Sequence, residues 1–122
     1  MAEKKKILIV EDDIDMQRIY NIVLKEKYNL AIADNTKDAL KQLEKNGIAL
    51  MILDIILPHE TGDTFLIKLK QMPKFKKLKV IAITVIGDIT GQIKKIDPEA
   101  TCIPKPFDKE KLIKEIEKRL KE

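Results

Sequence analysis

The chain has 122 residues, with 24 basic and 20 acidic side chains and a formal net charge of +4. This length suits one domain, which we expect to span residues 1–122. An aromatic content of 4% and interspersed charges argue against direct nucleic-acid binding, which usually requires a basic stripe with aromatics. The single cysteine excludes an intramolecular disulfide, and no apolar run approaches the roughly 18 residues of a membrane span. We therefore expect a cytoplasmic protein that has no membrane segment.

Short β-branched apolar segments alternate with longer segments of helical periodicity along the chain. The five predicted strands are Ile7–Val10, Leu30–Ala33, Leu50–Leu53, Val80–Ile83 and Thr101–Ile103. Five strands that alternate with helices predict right-handed crossovers and a parallel sheet covered on both faces. The first, third and fourth segments are continuously apolar, as is typical of strands buried on both faces.

Apolar residues recur at helical spacing in the segments between the strands. The first set comprises Met16, Ile19, Tyr20, Val23 and Leu24, and it predicts one helical face. Three further faces are predicted from Ala39, Leu40 and Leu43, from Phe65, Leu66 and Leu69, and from Leu112, Ile113, Ile116 and Leu120. The predicted helix caps are Asp13, Asn35 or Thr36, and Asp108. The segment Asp88–Ile96 contains Gly91 and precedes Pro98, so we expect a short or mobile fourth helix.

Acidic, hydroxyl and basic side chains stand at the carboxyl ends of the predicted strands. They are Glu11, Asp12 and Asp13 after the first strand, Asp54 after the third, Thr84 after the fourth and Lys105 after the fifth. Ligands of doubly wound sheets bind at this edge. Clustered carboxylates need a cation, and their oxygens suit Mg²⁺, whereas one cysteine and one histidine fit a zinc site poorly. An ammonium and a hydroxyl beside such a metal predict phosphoryl transfer to a carboxylate.

Four motifs together carry a resemblance to a known family. They are Lys6-Ile7-Leu8-Ile9-Val10-Glu11-Asp12-Asp13, Leu53-Asp54-Ile55-Ile56-Leu57-Pro58 with Gly62, Ile83-Thr84, and Lys105-Pro106-Phe107. In this order and spacing, essentially the whole chain resembles the receiver domains of two-component response regulators. The resemblance implies a flavodoxin-like, doubly wound α/β fold with five parallel strands in the order 2-1-3-4-5, flanked by five helices.

The resemblance also implies a phosphoacceptor and a set of metal ligands. Asp54 corresponds to the phosphoacceptor, and Asp12 corresponds to a direct Mg²⁺ ligand. Glu11 corresponds to the second residue of the acidic pair, which acts through a metal-bound water. Asp54 and the backbone carbonyl of Ile56 complete the implied ligand set, and Mn²⁺ is expected to substitute for Mg²⁺. Asp13 is interpreted as a helix cap in preference to a ligand.

A second group of residues corresponds to the family's switch positions. Thr84 resembles the hydroxyl that moves toward the phosphoryl group, and Lys105 resembles the lysine that pairs with a phosphoryl oxygen. Pro106 is a candidate for a cis peptide bond. Cys102 stands where the family usually has an activating Tyr or Phe, and Val85 stands where a small residue usually follows the threonine. We therefore expect the output to depart from the usual threonine–aromatic coupling.

The implied function is a signalling switch with limited autophosphorylation and autodephosphorylation at Asp54, and the chain is not classed as an enzyme. A sensor histidine kinase or a histidine phosphotransfer protein would donate the phosphoryl group. Thr84 and Lys105 would then shift a surface that binds a downstream protein. Unless the sequence is part of a longer chain, no output domain follows Glu122, and we expect a monomer or a weak dimer.

Three alternatives compete with this interpretation. A scaffold that is never phosphorylated is disfavoured by the complete set of acidic, hydroxyl and lysine residues. A Mg²⁺-dependent phosphatase would need a general acid two residues after its nucleophile, where Ile56 stands. A flavodoxin-like cofactor binder would need a Gly-, Ser- or Thr-rich phosphate loop after the first strand, where acidic residues stand.

Overall fold

A computed structural model describes residues 4–45, 47–85 and 89–121. Strands and helices alternate through these residues, as the hydrophobic pattern predicts. The strands are β1 (Lys6–Val10), β2 (Asn29–Ala33), β3 (Leu50–Asp54), β4 (Lys79–Thr84) and β5 (Thr101–Pro104). The helices are α1 (Ile14–Leu24), α2 (Thr36–Lys45), α3 (Gly62–Lys70), α4 (Thr90–Ile96) and α5 (Lys109–Leu120). A short 3₁₀ helix, Pro73–Phe75, was not predicted from the sequence.

The strands form one parallel sheet in the order β2-β1-β3-β4-β5, which confirms the predicted doubly wound fold. At the carboxyl edge, Val10 of β1 aligns with both Ala33 of β2 and Leu53 of β3. Asp54, the last residue of β3, aligns with Ile83 of β4. The carboxyl ends of β1, β3 and β4 therefore lie side by side, and the residues that follow them share one surface.

Two apolar clusters cover the two faces of the sheet. Alternate residues of β1 divide between them because successive side chains of a strand point to opposite faces. The cluster that contains Leu8 includes buried residues of α2, α3 and α4. The cluster that contains Ile7 includes buried residues of α1 and α5. This double burial explains why β1, β3 and β4 are almost wholly apolar.

Side-chain caps fix where three of the helices begin. The carboxylate of Asp13 accepts a hydrogen bond from the second N–H of α1 at 3.0 Å, and Asp108 does the same for α5 at 3.0 Å. For α2, the side-chain oxygen of Asn35 accepts from the third N–H at 2.8 Å. These contacts confirm the predicted caps and identify Asn35, not Thr36, as the cap of α2.

Two details of the helices refine the predictions. The fourth helix has 7 residues and is shorter than the other four, as expected, although the predicted start at Asp88 lies outside the described residues. The helical face of α1 that the periodicity predicts is only partly buried, since Tyr20 and Leu24 are buried whereas 42% of Ile19 is exposed. Over the described ranges, no helix combines the length and the apolar character needed to cross a bilayer.

Candidate functional site

Backbone hydrogen bonds carry the sheet pattern beyond the strand ends and fix the positions of the acidic and basic groups. The N–H of Glu11 donates to the carbonyl of Ala33 at 2.9 Å, directly after β1. The N–H of Lys105 donates to the carbonyl of Thr84 at 2.8 Å, directly after β5. Glu11 and Lys105 therefore start from ordered backbone on either side of Asp54.

Three carboxylates meet at this edge of the sheet. Glu11, Asp12 and Asp54 each offer a carboxylate oxygen, and these oxygens all lie within 4.8 Å of one another. Glu11 and Asp54 are only 1% and 5% exposed, whereas Asp12 is exposed. A cavity of about 270 Å³ opens over the cluster, and it is lined by Glu11, Asp12, Asp13, Asp54, Ile56, Val85 and Lys105.

The ammonium of Lys105 bridges the two buried carboxylates. Its Nζ lies 2.9 Å from Oε1 of Glu11 and 3.2 Å from Oδ2 of Asp54. Burial acts to lower the pKa of Lys105, but the hydrogen bond to Glu11 and the charge of Asp54 outweigh it, so the net pKa is raised. Burial raises the pKa of Glu11 to about 7, against the opposing effect of the Lys105 hydrogen bond. The lysine therefore stays charged and offsets part of the carboxylate repulsion.

Further hydrogen bonds orient both buried carboxylates. The other oxygen of Asp54, Oδ1, accepts from the backbone N–H of Ile56 at 3.1 Å. The other oxygen of Glu11, Oε2, accepts from the backbone N–H of Asp13 at 3.2 Å. The backbone carbonyl of Glu11 accepts from Nε2 of Gln17 at 2.6 Å. Each acidic side chain is therefore held by an ammonium on one oxygen and a backbone amide on the other.

Gly62, at the first turn of α3, packs directly against the backbone of the acidic loop. Its N–H donates to the carbonyl of Ile55 at 2.7 Å. A Cβ at this position would lie 2.8 Å from Cα of Ile55 and closer still to the carbonyl oxygen of Asp54. The backbone of Gly62 has an ordinary negative φ, so the requirement for glycine is one of space.

The chemistry of the donors fits a hard divalent cation. All the side-chain donors that meet at this edge are carboxylate oxygens, the ligands that Mg²⁺ prefers. In the described ranges this is the one cluster of three or more acidic, histidine or cysteine groups close enough to hold a metal. The site therefore combines an acidic group that could hold a metal with a charged lysine on the same carboxylates.

The other predicted positions lie at the margins of the cavity or away from it. Thr84 is 4% exposed and ends β4, but it is not among the residues that line the cavity. The peptide bond before Pro106 is cis. Cys102 is partly buried on β5 with its thiol against Thr90, and burial raises its pKa. The structure therefore brings Glu11, Asp12, Asp54, Ile56 and Lys105 together and leaves Cys102 outside the group.

Sequence reasoning missed the contribution of α1 to this site. Gln17 was not identified, although it holds the carbonyl of Glu11. Tyr20 was assigned only to the predicted helical face, yet its ring stacks on Phe107, two residues after Lys105. The one signal that points to these residues is their spacing of three, which places them on the same side of a helix.

The doubly wound sheet with an acidic group at its carboxyl edge defines an α/β protein whose carboxylates could hold a hard cation. Residues 7–117 match the sequence pattern of the response regulator receiver domain, and the chain belongs to this family. This match confirms the resemblance of the four motifs.

Relatives of similar and of much greater length share this domain. The response regulator receiver protein CpdR of Brucella abortus is 30% identical over 118 residues, which cover 95% of this chain and 97% of CpdR. The Histidine kinase P4 of Formosa agariphila is 32% identical over 120 residues, but the matched part is 8% of that protein. The chain spans about half the length of several other relatives, among them the transcriptional regulatory protein CpxR homolog of Haemophilus influenzae, of which it covers 48%.

Solved structures show the same fold. The CheY-like response regulator receiver domain protein of Methanospirillum hungatei superposes with a TM-score of 0.85 at 26% identity, covering 98% of this chain and 95% of its own. The chemotaxis protein CheY4 of Vibrio cholerae superposes with a TM-score of 0.86 at 23% identity, covering 95% of this chain and 98% of its own. The chain therefore has the receiver fold, and its acidic cluster lies at the carboxyl ends of the neighbouring strands β1 and β3.

Proposed function

We propose that this domain is a phosphorylation switch in which Asp54 accepts a phosphoryl group from a phosphohistidine on a partner protein. The observation that carries the proposal is the arrangement of Asp54 itself. Its carboxylate lines an open cavity, lies within 4.8 Å of two further carboxylates and contacts a charged lysine at 3.2 Å. A buried carboxylate in this setting is both oriented and accessible from one side, as a nucleophile requires.

The metal that the donor set fits is Mg²⁺, which would supply positive charge at the reacting oxygens. The carboxylates of Glu11, Asp12 and Asp54 are the side chains that would hold it, with the backbone carbonyl of Ile56 as a further oxygen ligand. The exposed position of Asp12 suits a ligand at the mouth of the cavity, and buried Glu11 suits an inner position.

In the proposed transfer, an oxygen of the Asp54 carboxylate attacks phosphorus in line with the phosphorus–nitrogen bond of the donor phosphohistidine. The new P–O bond forms as the P–N bond breaks, and the imidazole leaves with the electron pair of that bond. The amide of Ile56, 3.1 Å from Oδ1 of Asp54, keeps the carboxylate oriented during the attack. Lys105 neutralises charge on a phosphoryl oxygen, since its ammonium already lies at the same carboxylate.

The switch then follows from new contacts to the bound phosphoryl group. Thr84 is the proposed hydroxyl partner, and its backbone carbonyl already binds the N–H of Lys105. A phosphoryl group that contacts both residues would favour a second arrangement of the surface around Thr84 and Lys105. A histidine kinase is a suitable donor, because one relative of this chain is named Histidine kinase P4.

The proposal is tested by intact-mass spectrometry after incubation with acetyl phosphate and Mg²⁺. We expect one phosphoryl addition to the wild type, its loss in EDTA and its absence in Asp54→Asn. Asp63→Asn is the matched control, because Asp63 lies in the first turn of α3, outside the acidic cluster, and should leave the addition intact. Addition that persists in Asp54→Asn would contradict the assignment. So would a folded wild type that accepts nothing from either acetyl phosphate or a phosphohistidine protein.

A further inference from the structure

Tyr20 and Phe107 form a buried aromatic contact beside the candidate site. Tyr20, on α1, is 1% exposed, and its ring centroid lies 5.3 Å from that of Phe107, with the ring planes 22° apart. Phe107 follows Lys105 and Pro106 in a segment that is neither strand nor helix. The stack therefore holds the middle of the loop that carries the lysine.

The same face of α1 also holds the loop on the other side of the site. Gln17 stands three residues before Tyr20 and donates to the backbone carbonyl of Glu11 at 2.6 Å. Glu11 and Lys105 are the two partners of a 2.9 Å ion pair. One helix therefore contacts both segments whose separation determines that ion pair.

The hydroxyl of Tyr20 lies within electrostatic range of the acidic cluster. Burial raises its pKa most, and the charges of Glu11 and Asp54 raise it further. The phenol therefore stays neutral beside the carboxylates. The ring contact, in contrast, requires only the aromatic face, so the two parts of the side chain can be tested separately.

We propose that Tyr20 is a positioning residue for phosphoryl transfer: its ring, stacked on Phe107, keeps the ammonium of Lys105 between Glu11 and Asp54. The inference rests on the proposed function, in which Lys105 neutralises a phosphoryl oxygen. Lys105 and a bound cation compete for the same two carboxylates. Loss of the stack should therefore slow the transfer without weakening Mg²⁺ binding, because a less restrained ammonium leaves the carboxylates more available.

Tyr20→Leu removes the ring and keeps apolar volume, whereas Tyr20→Phe keeps the ring and removes the hydroxyl. Tyr28→Leu is the matched control, since Tyr28 is buried in the same apolar cluster but lies at the opposite end of β2 from the site. The measurements are the rate constant for phosphorylation by acetyl phosphate at saturating Mg²⁺, the Mg²⁺ affinity by calorimetry and the melting temperature.

We expect Tyr20→Leu to lower the rate constant about tenfold or more, as a displacement on the order of 1 Å does in other sites. Its Mg²⁺ affinity should be unchanged or tighter, and Tyr20→Phe should retain a rate close to that of the wild type. Tyr28→Leu should lower the melting temperature without this effect on the rate. Phe107→Leu removes the same stack from its partly exposed side. If Tyr20→Leu does not fold, Phe107→Leu should show the same result, a lower rate constant with an unchanged or tighter Mg²⁺ affinity.

Two results would overturn the inference while leaving the proposed function intact. One is a Tyr20→Leu rate equal to that of Tyr28→Leu, and the other is a parallel loss of rate and Mg²⁺ affinity. A wild-type chain that accepts no phosphoryl group would instead refute the proposed function, and the inference would fail with it.

Discussion

Replacing Gly62 with alanine tests whether the backbone of the loop after Asp54 needs the space that glycine leaves. The added Cβ would lie 2.8 Å from Cα of Ile55 and nearer to the carbonyl oxygen of Asp54. Both obstacles are backbone atoms, so no side-chain rotation relieves them. The helix and the acidic loop must separate, and the 2.7 Å hydrogen bond from Gly62 to Ile55 must lengthen.

The size of the effect follows from the overlap. Carbon atoms in contact normally lie about 3.5 Å apart, so a spacing of 2.8 Å requires a shift of about 0.7 Å. Overpacking of this kind costs about 1–3 kcal/mol, and the rigid backbone places Gly62→Ala near about 3 kcal/mol. For a domain of this length such a loss lowers the melting temperature by about 10 °C. The same shift moves Asp54 and should slow phosphorylation by about tenfold or more.

Gly91 provides the control within the same chain. It lies in α4, and the Cβ that alanine would add there lies more than 4 Å from any atom in the described residues other than those of its chain neighbours and of the backbone of its own helix. Gly91→Ala should therefore stabilise the protein by up to about 1 kcal/mol through helix propensity alone. Urea unfolding measures the stability of both variants, and incubation with acetyl phosphate measures their phosphorylation rates. A Gly62→Ala variant with wild-type stability and wild-type rate would show that the glycine is not required for space.

Three further predictions concern groups around the fold. Lys70→Met removes an ammonium that lies 3.4 Å from the buried carboxylate of Asp97 and donates to the carbonyl of Leu78 at 2.7 Å, so urea unfolding should show a loss of about 3 kcal/mol. A loss below 1 kcal/mol would contradict this. Val85→Ala opens the mouth of the cavity and should shorten the lifetime of the phosphorylated state, and an unchanged lifetime would exclude such shielding. Because burial raises the pKa of Cys102, its thiolate fraction at pH 8 is lower than that of an exposed thiol. Alkylation of Cys102, followed by mass spectrometry, should therefore be slower than alkylation of glutathione.

The hydrophobic pattern predicted most of the fold because double burial leaves a strong signal in parallel strands. β3 is buried throughout, and its sequence is apolar until Asp54. The 3₁₀ helix was missed because it has only three residues, Pro73–Phe75. Only Phe75, which is 7% exposed, anchors that turn, and one buried residue makes no periodic pattern.

The buried width of α1 was also not predictable from periodicity. Residues at helical spacing were assigned to one face, but α1 buries a narrower stripe that contains Tyr20 and Leu24. Ile19 lies beside it and lines an apolar cavity with Met16 and Phe107. Periodicity gives the direction of a helical face but not its width, which depends on the loop packed next to it.

The meeting of Glu11, Asp54 and Lys105 was predictable, because parallel strands bring their carboxyl ends to one edge in an order that the family pattern implies. The contacts of Gln17 and Tyr20 were not predictable in the same way. They depend on side-chain rotamers and on the path of the segment after β5, and neither leaves a mark in the hydrophobic pattern.

The charges of the site indicate why the proposed transfer would need both a metal and the lysine. Three carboxylates and one ammonium leave an excess of two negative charges when all four groups are ionised, and a divalent cation cancels that excess. Without the cation, an incoming phosphoryl group would meet repulsion of about 4 kcal/mol per charge pair at 4 Å in a partly screened site. Lys105 cannot replace the cation, because Glu11 and Asp54 already share its single charge. To reach a phosphoryl oxygen, the ammonium must give up part of its contact with one of them. The proposed phosphoryl transfer would therefore be an exchange of partners at Lys105, and it would depend on the packing that keeps the lysine within reach of each partner.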